Sequence, residues 1–198
     1  MKCLVLWIVG LLLCDQARSV DADLTLQQLN HKGWTVADGA PGVISSITQT
    51  TDGTLWLAGP DGLSRFDGIR FVRYDGADGR PFEATDIRTL AESTDGGLWI
   101  GFNLGGVSFL KNGSVVHYGE PDGLPTASVN AVVTDQRGVT YAATTEGLYR
   151  LQRNRWERVS VDASDPGDRL SAAAVDRAGT LWVVTDAAVW ARPTGATK

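Results

Sequence analysis

The chain has 198 residues, of which 43% are hydrophobic and 21% charged, and it carries a formal net charge of −5 at pH 7. That balance is ordinary for a folded globular protein and excludes a disordered tail or a membrane-embedded bundle. The acidic surplus also repels phosphate backbones, which argues against a nucleic-acid partner.

The first element is an export signal over residues 1–22: a basic start at Met1-Lys2, an apolar core "CLVLWIVGLLLC", then small residues at Ala17, Ser19 and Ala22. Cleavage after Ser19 and cleavage after Ala22 fit equally well. The apolar run is shorter than the roughly twenty residues that span a bilayer, so a permanent tether is the weaker reading. Both cysteines, Cys3 and Cys14, lie inside this segment. A processed chain therefore has no disulfide, no Cys-based metal site and no Cys nucleophile.

Residues 23–42 form an N-terminal segment in which Trp34 to Ala37 reads as a strand. From there one pattern recurs. "TTDGTLW", "STDGGLW", "DQRGVTY" and "DRAGTLW" place Trp56, Trp99, Tyr141 and Trp182 in a single column, roughly forty residues apart. Thr50, Ser93, Asp135 and Asp176 each open a turn whose Gly accepts positive φ, and short side chains of this type bond the backbone two residues on. Alternating apolar runs flank each turn: "VISSITQ" and "LWLAG", "IRTLAES" and "LWIGF", "VNAVVT" and "TYAAT", "LSAAAV" and "LWVVT". A third run follows every second turn, and a fourth appears as "RFVRY", "SVVHY" and "RWERVSV".

Four short antiparallel strands per unit of about forty residues is the period of a β-propeller blade. The expected fold is all-β: a β-propeller of about four four-stranded antiparallel blades, over 43–84, 85–127, 128–170 and 171–198. The last blade lacks a fourth strand, which Trp34 to Ala37 is expected to supply in a closed small ring; a partial larger propeller is the other arrangement. An open blade would favour self-association, and sedimentation of the mature chain separates the two: a compact monomer supports closure, assembly an open edge. The repeated Leu-Trp pairs read as core between blades rather than as carbohydrate platforms.

The repeats "ISSITQTTDGTLWLAGPDGLSRFDG" and "IRTLAESTDGGLWIGFNLGGVSFLKNG" resemble two-component regulator propeller repeats. The opening "LNHKGWTVADGAPG" is similar to the start of the periplasmic sensor region of bacterial sensor histidine kinases and diguanylate cyclases. The likeness covers about residues 28–190 and departs from the pattern at Val139-Thr140-Tyr141 and Ala187-Ala188-Val189. It implies a periplasmic module that binds a small molecule, an oligosaccharide or a protein and signals to an output domain absent from these repeats. Kinase or cyclase chemistry is not expected here, since no Gly-rich nucleotide motif is present and His31 and His117 lie off any long helix.

No catalytic or calcium-binding motif occurs, and no metal or other cofactor is expected. Loop carboxylates such as Asp61, Glu83, Asp86, Glu120, Asp122 and Glu146 keep open an alternative, a propeller enzyme of the lyase or glycosidase kind. Propeller topology puts any ligand at the loops leaving the fourth and second strands of each blade. The candidate contacts there are Arg80, Phe82, Asp86, Arg88, Asn103, Glu146 and Asp186.

Overall fold

The turns that recur in the sequence set the strand ends, and two side-chain solutions build them. Asp135 Oδ1 accepts the N–H groups of Arg137 and Val139, both at 2.9 Å, and Asp176 Oδ1 does the same for Ala178 and Thr180. In the first two copies the opening residue is Thr50 or Ser93, and the acid two positions later takes over. Asp52 Oδ1 accepts Thr54 N–H at 2.9 Å, and Asp95 Oδ1 accepts Gly97 N–H at 3.3 Å. In every copy a glycine N–H closes the turn onto the opening carbonyl, at 2.7 to 2.9 Å.

The computed structural model describes residues 32–77, 80–82, 84–160 and 169–193, with backbone alone at 77 and 80. The export signal lies outside the described residues. From Trp34 onward the chain forms one unit. Blade 1 holds β1 (Ser46–Gln49), β2 (Leu55–Gly59), β3 (Gly62–Phe66) and β4 (Phe71–Tyr74). A two-stranded ribbon, β5 (Gly76–Ala77) with β6 (Arg80–Pro81), leads on. Blade 2 has β7 (Ile87–Glu92), β8 (Leu98–Phe102), β9 (Val107–Lys111) and β10 (Ser114–Tyr118). Blade 3 has β11 (Val129–Thr134), β12 (Thr140–Thr144), β13 (Gly147–Gln152) and β14 (Arg155–Val159). Blade 4 shows three strands, β15 (Leu170–Val175), β16 (Leu181–Thr185) and β17 (Val189–Arg192). All neighbours within a blade are antiparallel, and the first strands β1, β7, β11 and β15 lie side by side around the propeller axis. No helix among the described residues is long and apolar enough to cross a membrane.

Three apolar layers separate the four blades, each formed by the facing sides of two neighbouring sheets. Ala58 and Leu63 of blade 1 meet Leu90, Leu98, Ile100 and Leu110 of blade 2. Trp99 and Val107 meet Val129, Val132, Ala142 and Trp156. Ala143 and Leu148 meet Leu170, Leu181 and Val183. Polar ties lock the blades in register at their edges: Thr51 N–H to Glu92 Oε1 at 2.6 Å, Asn130 Nδ2 to the Leu170 carbonyl at 2.7 Å, and Gln136 Nε2 to the Arg177 carbonyl at 2.7 Å.

The sheets do not close into a ring. The outer face of blade 4 carries Ala174, Trp182 and Ala191 in one cross-strand row and Ala172, Val184 and Val189 in the next. Trp182 is 41% exposed there. The strand expected at Trp34 to Ala37 is absent, and this corrects the closure reading. Thr35 donates both its N–H and its hydroxyl to Asp38 Oδ2 at 2.8 Å, which winds Val36–Asp38 into a single 3-10 turn. Trp34 stands edge-on to Phe66 and Phe71 of blade 1, at ring-centroid distances of 4.8 and 6.4 Å. A local capping bond and an aromatic cluster outcompete pairing with the far blade.

The turn acids give the fold an acid-sensitive component. The Thr50 hydroxyl and then the Thr54 N–H hold the Asp52 carboxyl below its ordinary 3.8. The Lys111 ammonium does so for Asp95, and the Trp182 indole N–H followed by the Thr180 N–H for Asp176. Carboxyls whose folded pKa is depressed stabilise the fold above their unfolded value and lose that contribution as pH falls through the folded one. Urea midpoints of the wild type should therefore fall below about pH 4, and Asp52→Asn and Asp176→Asn should each flatten that limb. An unchanged acid limb in both variants would remove the turn acids as its cause.

Candidate functional site

At one end of the blades emerge the loops after each second strand and the connections between blades. Blade 2 contributes most of what the structure describes there. The first-strand register slips between Ile87 and Thr89, so Arg88 is the extra residue of a β-bulge on β7 and is exposed. Beside it Asn103 donates its backbone N–H to the Asp86 carbonyl and its Nδ2 to Asp86 Oδ2, both at 2.8 Å. Ser128 Oγ in turn donates to Asn103 Oδ1, and Thr145 N–H donates to the Ser128 carbonyl at 3.0 Å. This chain of bonds fastens the second-to-third strand loops of blades 2 and 3.

Next to the tie opens a cleft of about 500 Å³, bounded by Ala84, by Leu104–Gly106 and by His117 with Gly119–Asp122 and Pro125-Thr126. Leu104 adopts φ 61 and is exposed, a backbone conformation that costs a branched L-residue energy. Gly105 and Gly106 let that loop lie flat: a Cβ at 105 would sit 2.8 Å from Ala84 Cβ, and one at 106 would overlap the Tyr118 carbonyl oxygen. On the opposite wall the His117 Nδ1 lies 3.0 Å from the hydroxyl of the buried Ser108, which sets the ring orientation. Its Nε2 sits beside Gly119.

The one-turn helix Glu120–Asp122 completes the rim. Asp122 Oδ2 accepts Gly119 N–H at 3.0 Å, and Glu120 Oε1 accepts the Thr126 hydroxyl at 2.7 Å. Burial, and then the Asp122 charge, push the Tyr118 phenol upward in pKa, and Glu120 and Asp122 together put two carboxylates on this rim. Hydroxyl groups and cations match such a wall, whereas anions do not. Among the described residues no group of three or more His, Cys, Asp or Glu is arranged to hold a metal ion.

No protein-family description and no curated protein matches the chain. Solved structures do. The extracellular domain of one hybrid two-component system of B. thetaiotaomicron superposes with TM-score 0.66 at 18% identity, over 81% of this chain and 23% of that one. A second such domain from the same organism gives 0.61 at 21%, over 76% and 20%. These are propeller blades. Virginiamycin B lyase from Staphylococcus aureus also aligns, with TM-score 0.57 at 14% identity over 77% of this chain and 56% of the lyase. The propeller described here thus spans about a fifth of the length of the two receptor domains.

The seven sequence-derived contacts scatter over this propeller. Asp86 and Asn103 come together, but as each other's partners. Phe82 packs between Tyr74 and Phe102, at centroid distances of 6.1 and 6.2 Å, and so serves the layer between blades 1 and 2. Arg80 belongs to β6, and its side chain lies outside the described residues. Glu146 and Asp186 are exposed in the corresponding loops of blades 3 and 4, in turns where the Thr144 hydroxyl accepts Glu146 N–H and the Thr185 hydroxyl accepts Ala187 and Ala188 N–H. Sequence reasoning missed that Leu104 and His117 line the cleft. Alternation in "SVVHY" could have set His117 on one face of β10, but nothing local in "FNLGG" marks Leu104 as strained.

Proposed function

We propose that the chain is a ligand-sensing β-propeller module of an exported, periplasmic receptor, taking a neutral or cationic hydroxyl-rich ligand such as an oligosaccharide at the His117 cleft. The observation that carries this reading is the cleft: an exposed Leu104 with positive φ shares it with an oriented imidazole and one turn that bears two carboxylates. The fold shared with extracellular domains of two-component systems supports the sensing role, and in this reading a separate domain supplies the output. The export signal read from residues 1–22 supports the compartment.

Titration calorimetry with a panel of neutral and anionic oligosaccharides tests it. Binding of a neutral member that weakens about tenfold or more in His117→Ala and in Glu120→Gln is expected, since each removes one charged or polar hydrogen bond. No heat from any neutral sugar, or equal affinity in both variants, would sink the cleft as the site.

The enzymatic alternative draws on the lyase alignment and on the same His117, Glu120 and Asp122. Each carboxylate already accepts a hydrogen bond from a neighbour, as a carboxylate held for structure does. Turnover of a lactone or glycoside by the wild type that is lost in His117→Ala would favour this alternative over sensing.

A further inference from the structure

At the opposite end of the blades, where the sequence repeats its turns, the layers between blades are filled unequally. In blade 3, Trp156 on β14 pairs across to Leu151 and lays its indole against Trp99 at a centroid distance of 6.0 Å; both rings are almost fully buried. The same register position in blade 2 is Val115, which pairs across to Leu110 on β9. Val115 and Trp56 both pack against the layer between blades 1 and 2, so that layer has valine at the register position that tryptophan holds in the next one. An indole is missing from an otherwise equivalent layer. Beside Leu110, the cross-strand partner of Val115, opens a groove of about 410 Å³ lined by Trp56, Tyr74, Leu98 and Leu110 on its apolar side and by Thr50, Asp52 and the turns at Gly96 and Lys111–Gly113 on its polar side, with Arg65 at its rim.

Two of the walls are aromatic and held in place. Trp56 and Tyr74 stand edge to face with centroids 5.4 Å apart, and Trp56 Nε1 donates to Thr50 Oγ1 at 3.2 Å, which fixes the indole plane. At the rim Lys111 Nζ is held by Asp95 Oδ2 at 2.5 Å, and Asp52 is occupied by Thr50 and Thr54. Arg65 is different. It sits directly across the strand pair from Trp56, is exposed, and forms no ion pair among the described residues. An aromatic slot with one uncommitted guanidinium at its mouth selects a planar aromatic carboxylate: the ring replaces the absent indole, and the carboxylate meets the Arg65 fork.

We infer that the groove between blades 1 and 2 is a second binding site, for a planar aromatic carboxylate of indole size, separate from the His117 cleft and independent of its role.

The test uses the full chain with indole-3-acetate and its neutral counterpart 3-methylindole, read by saturation-transfer NMR and calorimetry. Both should bind, the acid more tightly. Val115→Trp, which restores the ring of the neighbouring layer, should abolish both while leaving the cooperative unfolding transition intact. Arg65→Ala, a change at an exposed position, should weaken the acid by about fivefold to tenfold and leave 3-methylindole unchanged. Absence of binding by either compound, or full binding in Val115→Trp, overturns the site. Equal losses for both compounds in Arg65→Ala overturn the choice of a carboxylate. Should Val115→Trp fail to fold, the selectivity of Arg65→Ala decides alone.

Discussion

Trp99→Ala is expected to lower the unfolding free energy by about 3–5 kcal/mol, whereas Trp182→Ala, the same column of the same repeat, should cost less than about 1 kcal/mol. Trp99 is 4% exposed and packs on Phe109, Tyr118 and Trp156 at centroid distances of 4.3, 6.2 and 6.0 Å. Truncation there opens a cavity between two rigid sheets that cannot collapse, so the transfer cost and the cavity cost add. Trp182 has water on one side and donates its indole N–H to Asp176 Oδ2 at 2.9 Å, a bond at the surface that water replaces. Trp99 Nε1 is buried and finds no acceptor among the described residues, so Trp99→Phe should lose much less than Trp99→Ala, because it also removes an unmatched donor. Urea unfolding of the three variants measures the order. Equal losses for Trp99→Ala and Trp182→Ala would mean that the outer face of blade 4 is covered in solution.

Gly106→Ala should cost about 2–4 kcal/mol and abolish binding at the His117 cleft, two effects with one cause. Gly106 has φ 73, and a Cβ at that position would overlap the Tyr118 carbonyl oxygen, a backbone atom that cannot swing away. The loop would have to lift from β10, and the cleft is the space between that loop and β10. Gly138→Ala is the control. Its φ of 78 is equally unfavourable to a side chain, yet nothing lies within 4 Å of its Cβ position, so it should cost only the strain of about 1 kcal/mol and leave binding intact. Calorimetry and urea midpoints on the pair separate strain from collision. Similar losses in stability would place the effect of Gly106 in its backbone angle rather than in the packing of the loop.

Much of the fold was legible in the sequence because its signals are short-range. The positions of the four turns follow from an Asp, Ser or Thr three residues before a Gly, and the strands from alternation over a few residues on either side. One detail escaped: in the first two repeats the turn is held by Asp52 and Asp95, two positions later than the residue that opens it. The acid moves, and the bond to the N–H of Thr54, Gly97, Val139 and Thr180 is kept, while only Asp135 and Asp176 also take a second N–H. The candidate site was far less legible. Asp86 and Asn103 are 17 residues apart and were both singled out, but only the folded chain shows that each occupies the other. The cleft joins Leu104 to His117 and Glu120 across a strand and a turn, and no spacing rule connects them.

By itself the sequence determined the repeat, the antiparallel blades and the place of each blade strand, since hydrogen bonds within a turn and the two-residue alternation of a strand act locally. The tertiary structure decided which member of a repeated column is core and which is surface. Trp99, Trp56 and Trp182 share one motif, but one is sealed by Trp156, one lines an open groove between blades 1 and 2, and one lies on a face that no described blade covers. It also decided against a closing strand at Trp34 to Ala37, where Thr35 bonds to Asp38 and Trp34 packs on the rings of Phe66 and Phe71. Burial is a property of neighbours, and neighbours in this fold come from forty residues away.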